Sequence, residues 1–330
     1  MNAPVTLPAF ADVEDAAARL KGRSVRTPLI ESPALNDRLR ARVLLKAETL
    51  QVSGSFKFRG AYNRISRLSE EERGRGVVAY SSGNHAQGVA AAARIVGTPA
   101  VIVMPSDAPA VKVVGVRAFG GEVRLYDRWT ESREAIGAEI ARERGSVLVP
   151  PFDDFHVIAG QGTMGLELAE QAGEAGAELD TVLVGASGGG MIAGVGLALE
   201  RLAPGAEIWV VEPADYDDHR LSLEAGERTA HPPAEPSICD ALMAPMPGEI
   251  TFPINRRRLK GALGVTDAEV AEAMRYAFST LKLVVEPGGA VSLAALLSGK
   301  LPVEGRTVAA VLSGGNVDPG LYGRILAGEL

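Results

Sequence analysis

The chain contains a single cysteine, Cys239, in 330 residues. That excludes an internal disulfide and a thiolate metal cage, and it fits the reducing cytoplasm in which the protein is expected to reside. No stretch of about 18 residues is apolar throughout and free of charges and turn signals, so no membrane span is expected. The first ten residues lack a basic start followed by an apolar run, so no secretory leader is expected. Long runs of like charge are also missing. With a net charge of −7, nucleic acid is not an expected partner. The one short basic cluster, Arg256-Arg257-Arg258, reads as a solvated surface or a helix start. Neither an internal repeat nor a low-complexity linker is present.

What remains is ordinary globular material. Hydrophobic residues make up 46% of the chain, enough for a large core, and the length suggests two domains at about 150 residues each. Short, nearly continuous apolar runs at 43–45, 77–80, 100–103, 147–149, 182–184, 208–211 and 308–312 read as strands buried on both faces of a parallel sheet. Helical segments at 86–96, 131–144, 160–173, 191–203 and 267–278 alternate with them, the last behind the N-cap Thr266. This alternation predicts an α/β architecture with ligands at the carboxyl ends of the strands. The proline-rich stretch from 213 to 256 is poorly periodic and predicts a long surface excursion.

Three loops carry chemistry. In the first, Ser53 to Ala61, Lys57 stands between Phe56 and Phe58 near a helix start. Desolvation and the helix N-terminus both disfavour its ammonium form, leaving a nucleophilic amine, as a Schiff-base lysine requires. The second, Ser81-Ser82-Gly83-Asn84-His85, follows a strand and offers backbone N–H groups as a carboxylate seat. Its Asn84 can hydrogen-bond a phenolic oxygen. In the third, Ser187-Gly188-Gly189-Gly190-Met191, consecutive glycines let the backbone wrap a phosphate at a helix N-terminus. This loop fits neither G-x-G-x-x-G nor the G-K-[ST] ending of a P-loop. Together the three supply an amine for an aldehyde, a carboxylate seat and a phosphate cup.

These loops resemble those of fold type II pyridoxal-phosphate (PLP) enzymes, specifically the threonine/serine dehydratase and serine racemase family. The motifs are S-F-K-x-R-G-A, S-x-G-N-H, A-G-Q-G-T at 159–163, the glycine loop, E-P-x-G-A at 286–290 and S-G-G-N from Ser313. The resemblance runs from Thr27-Pro28-Leu29 to Asp318 and implies two open, twisted, mostly parallel sheets flanked by helices. It further implies a large PLP-binding domain (1–66 and 155–330), a small mobile domain (67–154) and a homodimer. PLP would be held by Lys57 as a Schiff base, by Phe56 against the ring, by Asn84 at the ring hydroxyl, by residues 187–191 at the phosphate, by Ser313 at the ring nitrogen, and by Glu286. Ser81, Asn84 and His85 would seat the substrate carboxylate. The implied reaction removes the α-proton and the β-hydroxyl of L-threonine or L-serine, giving a 2-oxo acid and ammonia.

Some positions speak to the branch within that family. Ser82 matches a racemase serine that can deliver a proton to Cα, so amino-acid racemisation is the alternative activity. Arg133 matches an arginine near the substrate's β-substituent and could grip a second carboxylate, as in 3-hydroxyaspartate. Pro151-Phe152-Asp153-Asp154 resembles the dehydratase version of the next loop, which favours threonine or serine. Glu212, the Tyr216 carbonyl and Asp218 resemble the family's divalent-cation site, for Mg²⁺ or alternatively Ca²⁺ or Mn²⁺. Departures occur at Cys239-Asp240-Ala241, where the family has A-D-G, at Gly288 in E-P-G-G-A, and at Ser187, which replaces a glycine.

Overall fold

The computed structural model describes residues 6–108 and 110–330. Among the described residues, ten strands form two sheets: β1 (Leu29–Glu31), β2 (Arg42–Ala47), β3 (Val77–Tyr80), β4 (Ala100–Pro105), β5 (Glu122–Tyr126), β6 (Val147–Leu148), β7 (Thr181–Gly185), β8 (Glu207–Pro213), β9 (Leu259–Val265) and β10 (Thr307–Leu312). The larger sheet runs β1-β2-β10-β7-β8-β9 and the smaller β5-β4-β3-β6. Every pairing is parallel except that of β1 with β2. Such sheets are covered by helices on both faces, and here one apolar cluster fills each side of the larger sheet while a third packs under the smaller.

The apolar runs read from the sequence are the buried central strands, except that 147–149 holds β6, a half-buried edge strand. β1, β5 and β9 were not expected. All three lie at sheet edges, and β5, Glu-Val-Arg-Leu-Tyr, is largely exposed, so it carries no buried-strand pattern. The stretch 213–256 is the expected surface excursion only in part: residues 226–238 carry no helix or strand and are exposed or half-buried, but the stretch as a whole is not all surface. It holds the helices Asp218–Ala225 and Thr251–Arg258 and buries Asp218, His219, Cys239, Phe252 and Ile254. Pro232, Pro233 and Pro236 lie in its exposed, irregular middle. Arg256 to Arg258 form the last turn of a helix rather than its start, where cations favour the carbonyl end of the dipole.

Two features fix the helix Lys57–Ile65. The first is a close crossing: a Cβ on Gly160 would lie 2.6 Å from Gly60 Cα, and the Gly60 N–H donates to Gln161 Oε1 at 3.1 Å. The A-G-Q-G-T run therefore lets the 20-residue helix Phe155–Glu174 press backbone to backbone against the lysine's helix. The second is a buried ion quartet. Arg59 donates to both carboxylate oxygens of Glu48, each at 2.8 Å, and to both of Glu167, at 2.7 and 2.8 Å. Lys46 completes the quartet with bonds to Glu167, Gln171 and the Thr27 carbonyl. Two cations against two anions leave no net buried charge, the condition under which burial is tolerated.

Gly160→Ala should therefore cost about 1–3 kcal/mol of stability through overpacking at the crossing. Gly173→Ala, in the same helix with open space around it, should be neutral or stabilising by about 0.5–1 kcal/mol. Urea unfolding of both variants checks the contrast, and equal midpoints would refute the packing account.

Candidate active site

Lys57 is the first residue of its helix. The loop before it is pinned to the one after β10 by a bridge between Ser55 and Gly314 and by the Phe56 N–H on the Ser313 carbonyl, 3.1 Å. The Lys57 amine donates to the Pro151 carbonyl at 2.7 Å and sits 5.2 Å from the Phe56 ring centre. Burial pulls its pKa down to about 8, opposed by the nearby Glu286 charge. A usable fraction is thus the free amine near neutrality; of the two flanking phenylalanines only Phe56 faces the amine, since Phe58 packs into the core under the smaller sheet.

The second loop turns from β3 into the helix Asn84–Val96. Ser81 Oγ accepts from the Gly83 N–H at 3.2 Å and shapes the turn, while the helix start has no side-chain cap and no acidic residue. Its amides are therefore available to an anion. Asn84 is fixed at both ends: its Oδ1 accepts from Asn316 Nδ2 at 2.8 Å, and its Nδ2 donates to Glu286. Burial lifts the Glu286 carboxyl to about 7, against the lowering effect of that Asn84 bond. His85 Nε2 bonds the Val149 carbonyl at 2.8 Å, and burial, then the Lys57 charge, pushes its pKa down to about 3. Its ring is neutral, so His85 offers a carboxylate its backbone N–H and not a cationic side chain.

The third loop leads from β7 into the helix Gly190–Leu202. Gly189, at φ +88°, adopts a conformation that L side chains rarely take. The Gly188 carbonyl is held by Thr251 Oγ1 at 2.6 Å and the Gly248 N–H at 3.1 Å. Ser187 Oγ accepts from the Ala244 N–H at 3.1 Å. With the carbonyls turned outward, the N–H groups of Gly188 to Met191 donate to no protein acceptor among the described residues.

One cavity is lined by all three loops. Phe56, Lys57, Ser81, Ser82, Asn84, His85, Arg133, Ser187 to Met191, Glu286 and Ser313 all face it. Arg133 lies at the wall over the Tyr80 ring, 5.6 Å away, and is bonded to Glu134. The same cavity holds Lys112, which no motif marked, together with Asp240, Phe152 and Gln161, whose segments the resemblance singled out without assigning these side chains a contact. No local motif distinguishes Lys112 from a surface lysine, and only the fold brings it here.

Glu212, Asp218 and Tyr216 lie outside this cavity. Glu212 and Asp218 are fully buried together with His219, their ligand atoms all within 4.8 Å of one another. His219 Nδ1 is 2.7 Å from Glu212, and neither Asp218 oxygen has a hydrogen-bond partner among the described residues. Burial, reinforced by the Glu212 charge, drives the Asp218 carboxyl far above the usual range. Buried carboxylates without a counter-charge are the donor set of a cation. His219 was not foreseen; its only trace in the sequence is adjacency to Asp218. The Tyr216 hydroxyl turns away to the carbonyls of Ala234 and Glu235 at 3.3 and 3.1 Å, so only its backbone oxygen could join such a shell. The cluster sits beneath the glycine loop, since a Cβ on Gly189 would lie 2.6 Å from His219 Nε2.

The lysine's lowered pKa gives a measurable consequence. Because the free amine is the reactive form, labelling of Lys57 in the cofactor-free protein should rise with pH and reach half its plateau near pH 8. Glu286→Gln removes the charge that favours the ammonium and should move that midpoint lower. Peptide mapping after trinitrophenylation at graded pH reads both, and a wild-type midpoint near the ordinary lysine value would contradict the desolvated site.

The sequence profile described as "Pyridoxal-phosphate dependent enzyme" matches residues 21–314. An L-threo-3-hydroxyaspartate ammonia-lyase of Pseudomonas sp. is 45% identical, covering 98% of this chain and 99% of that one. An L-threonine ammonia-lyase of Thermotoga maritima is 41% identical over 96% of this chain and 77% of that one. The structure of maize serine racemase superposes with a TM-score of 0.91 at 37% identity, covering 98% of each chain. A match of this extent leaves one assignment: the chain belongs to the fold type II PLP-dependent enzymes, in the family of the threonine/serine dehydratases and serine racemases.

Proposed function

We propose that this protein is an ammonia-lyase for β-hydroxy amino acids. The observation that carries the reading is the Lys57 amine, with its lowered pKa, lining one cavity with the unpaired amides of Gly188 to Met191. That pairing of a carbonyl-reactive amine with an anion cup fits PLP. Lys57 would carry its aldehyde carbon, Ser187 to Met191 its phosphate, Asn84 its phenolic oxygen and Ser313 its ring nitrogen, with Phe56 beside the ring and Glu286 behind Asn84. When bound, PLP supplies the electron sink that makes the substrate's α-proton removable.

The chain's own groups do the rest. The amides at the start of the helix Asn84–Val96 hold the α-carboxylate. The Lys57 amine takes the α-proton as general base, and the Pro151 carbonyl, its 2.7 Å acceptor, keeps the resulting ammonium directed. The β-hydroxyl leaves as water, and the released enamine hydrolyses to a 2-oxo acid and ammonia.

Among β-hydroxy amino acids, L-threo-3-hydroxyaspartate is favoured over L-threonine and L-serine. Arg133 places a guanidinium at the cavity wall, and the Pseudomonas relative carries that substrate in its name. The loop Pro151–Asp154, whose resemblance favours threonine or serine, is occupied otherwise. Pro151 serves Lys57, and Asp153 accepts from the N–H groups of Glu249, Ile250 and Thr251. Racemisation is the second reading. Ser82 lines the cavity and makes no hydrogen bond among the described residues, because Ser81 serves the turn. Its hydroxyl is thus available to move a proton. We further propose that Glu212, Asp218 and His219, with the Tyr216 carbonyl, hold a divalent cation, Mg²⁺ or Mn²⁺, that braces the glycine loop.

Lys57→Ala should cut oxo-acid release from L-threo-3-hydroxyaspartate, L-serine and L-threonine by about 100- to 10,000-fold or more. D-isomer formation, followed in parallel by chiral chromatography, should be minor and lost in Ser82→Ala; predominant D-isomer would overturn the lyase reading. Chelation should lower the thermal midpoint by several degrees, given that a well-bound ion contributes about 2–3 kcal/mol. Asp218→Asn should abolish that sensitivity. A midpoint indifferent to chelator would remove the cation from the account.

A further inference from the structure

We infer that Lys112 is a specificity-determining residue that takes the second carboxylate of a dicarboxylic substrate, with Asp240 as the counter-ion it leaves. The inference deepens the hydroxy-amino-acid reading above and rests on it for the substrate class.

Lys112 lies on the helix Ala110–Ala118, in the part of the chain that forms the smaller sheet. Its side chain is only 10% exposed, yet it faces the cavity that holds Lys57. It is close to the proposed carboxylate seat: the nearest atom to a Cβ built on Gly83 is the Lys112 ammonium, 3.8 Å away. A buried cation thus stands directly over the turn whose amides hold the α-carboxylate.

Among the described residues its one ionic partner is Asp240, which belongs to the chain segment on the larger-sheet side of the cavity. The pair is uneven. Asp240 is 48% exposed, so its carboxylate can turn out to water at little cost. Lys112 has no such route, and an unpaired buried ammonium is costly. An entering carboxylate can therefore replace Asp240 one for one, with no new net charge in the cleft. An entering methyl or hydrogen at the same place cannot, and leaves Lys112 bound to Asp240. Arg133 is less suited to the decisive contact. It is 46% exposed and already bonded to its neighbour Glu134, where solvent weakens any ion pair.

The alternative role for the pair is a plain latch between the two sides of the cleft, and the two roles differ in sign. If Lys112 reads the second carboxylate, removing Lys112 weakens dicarboxylates while removing Asp240 frees the lysine and strengthens them. If the pair is a latch, both changes weaken every ligand alike.

Calorimetric titration of the holoenzyme with malonate and, separately, with L-alanine distinguishes the two. Lys112→Gln should weaken malonate about tenfold more than it weakens L-alanine, a difference of about 1.4 kcal/mol. Asp240→Asn should tighten malonate several-fold relative to L-alanine, and its half-exposed side chain makes a folding failure no obstacle. Parallel losses for both ligands in both variants would overturn the inference, as would malonate binding that depends on Arg133→Gln and not on Lys112→Gln. Turnover is scored apart from this: absence of oxo-acid release from any hydroxy amino acid defeats the proposed activity, whereas the malonate titration judges Lys112 by itself.

Discussion

The site depends on one buried cation that takes no part in the chemistry. Arg59 is fully buried and clamped by two carboxylates at once, Glu48 on one side and Glu167 on the other. Those partners come from the segment after β2 and from the long helix Phe155–Glu174, so a single guanidinium ties three pieces of chain at fixed angles. Lys57 lies two residues before it on the same helix. The clamp and the Gly60–Gly160 crossing leave that helix one place to stand, and the amine is aimed into the cavity as a result. Loss of either carboxylate would strand a buried charge, worth about 3–5 kcal/mol.

Around that anchor the cleft is divided into regions of distinct electrostatics. Uncapped backbone amides stand at the starts of two helices, where an anion would be favoured. Side-chain charges are kept off those seats or neutralised: His85 is uncharged, Glu286 is raised toward neutrality, and Asp240 is committed to Lys112. The outcome is an amine that can lose its proton near neutral pH in a cavity also lined by exposed backbone amides. The acidic cluster beneath the glycine loop extends the same logic outward, since carboxylates sealed from water need either a proton or a cation.

The legible parts of the fold were those where a residue's surroundings follow from its neighbours in sequence. Central parallel strands are apolar on both faces, so β4, β7 and β10 announce themselves. Edge strands share their surface with water, and β5 has no such signature. The stretch 213–256 is legible as a surface excursion in its irregular middle, whereas the helices at its ends, which bury Phe252 and Ile254, are hidden because prolines erase periodicity. In the site, glycine and small polar residues at strand ends marked the turns that expose amides. Lys112, Asp240 and His219 carried no such mark, being ordinary residues made unusual only by what lies across from them.

The sequence by itself determined the α/β class, the three loops and the lysine between two phenylalanines, because turn geometry, amide exposure and local desolvation are short-range properties of the chain. Tertiary structure alone decided that the three loops share one cavity, that His85 stays neutral, and that Lys112 reaches the same cavity beside Gly83. Those facts arise from burial and charge contributed by segments far apart in sequence, as when Lys112 meets Asp240 across the cleft.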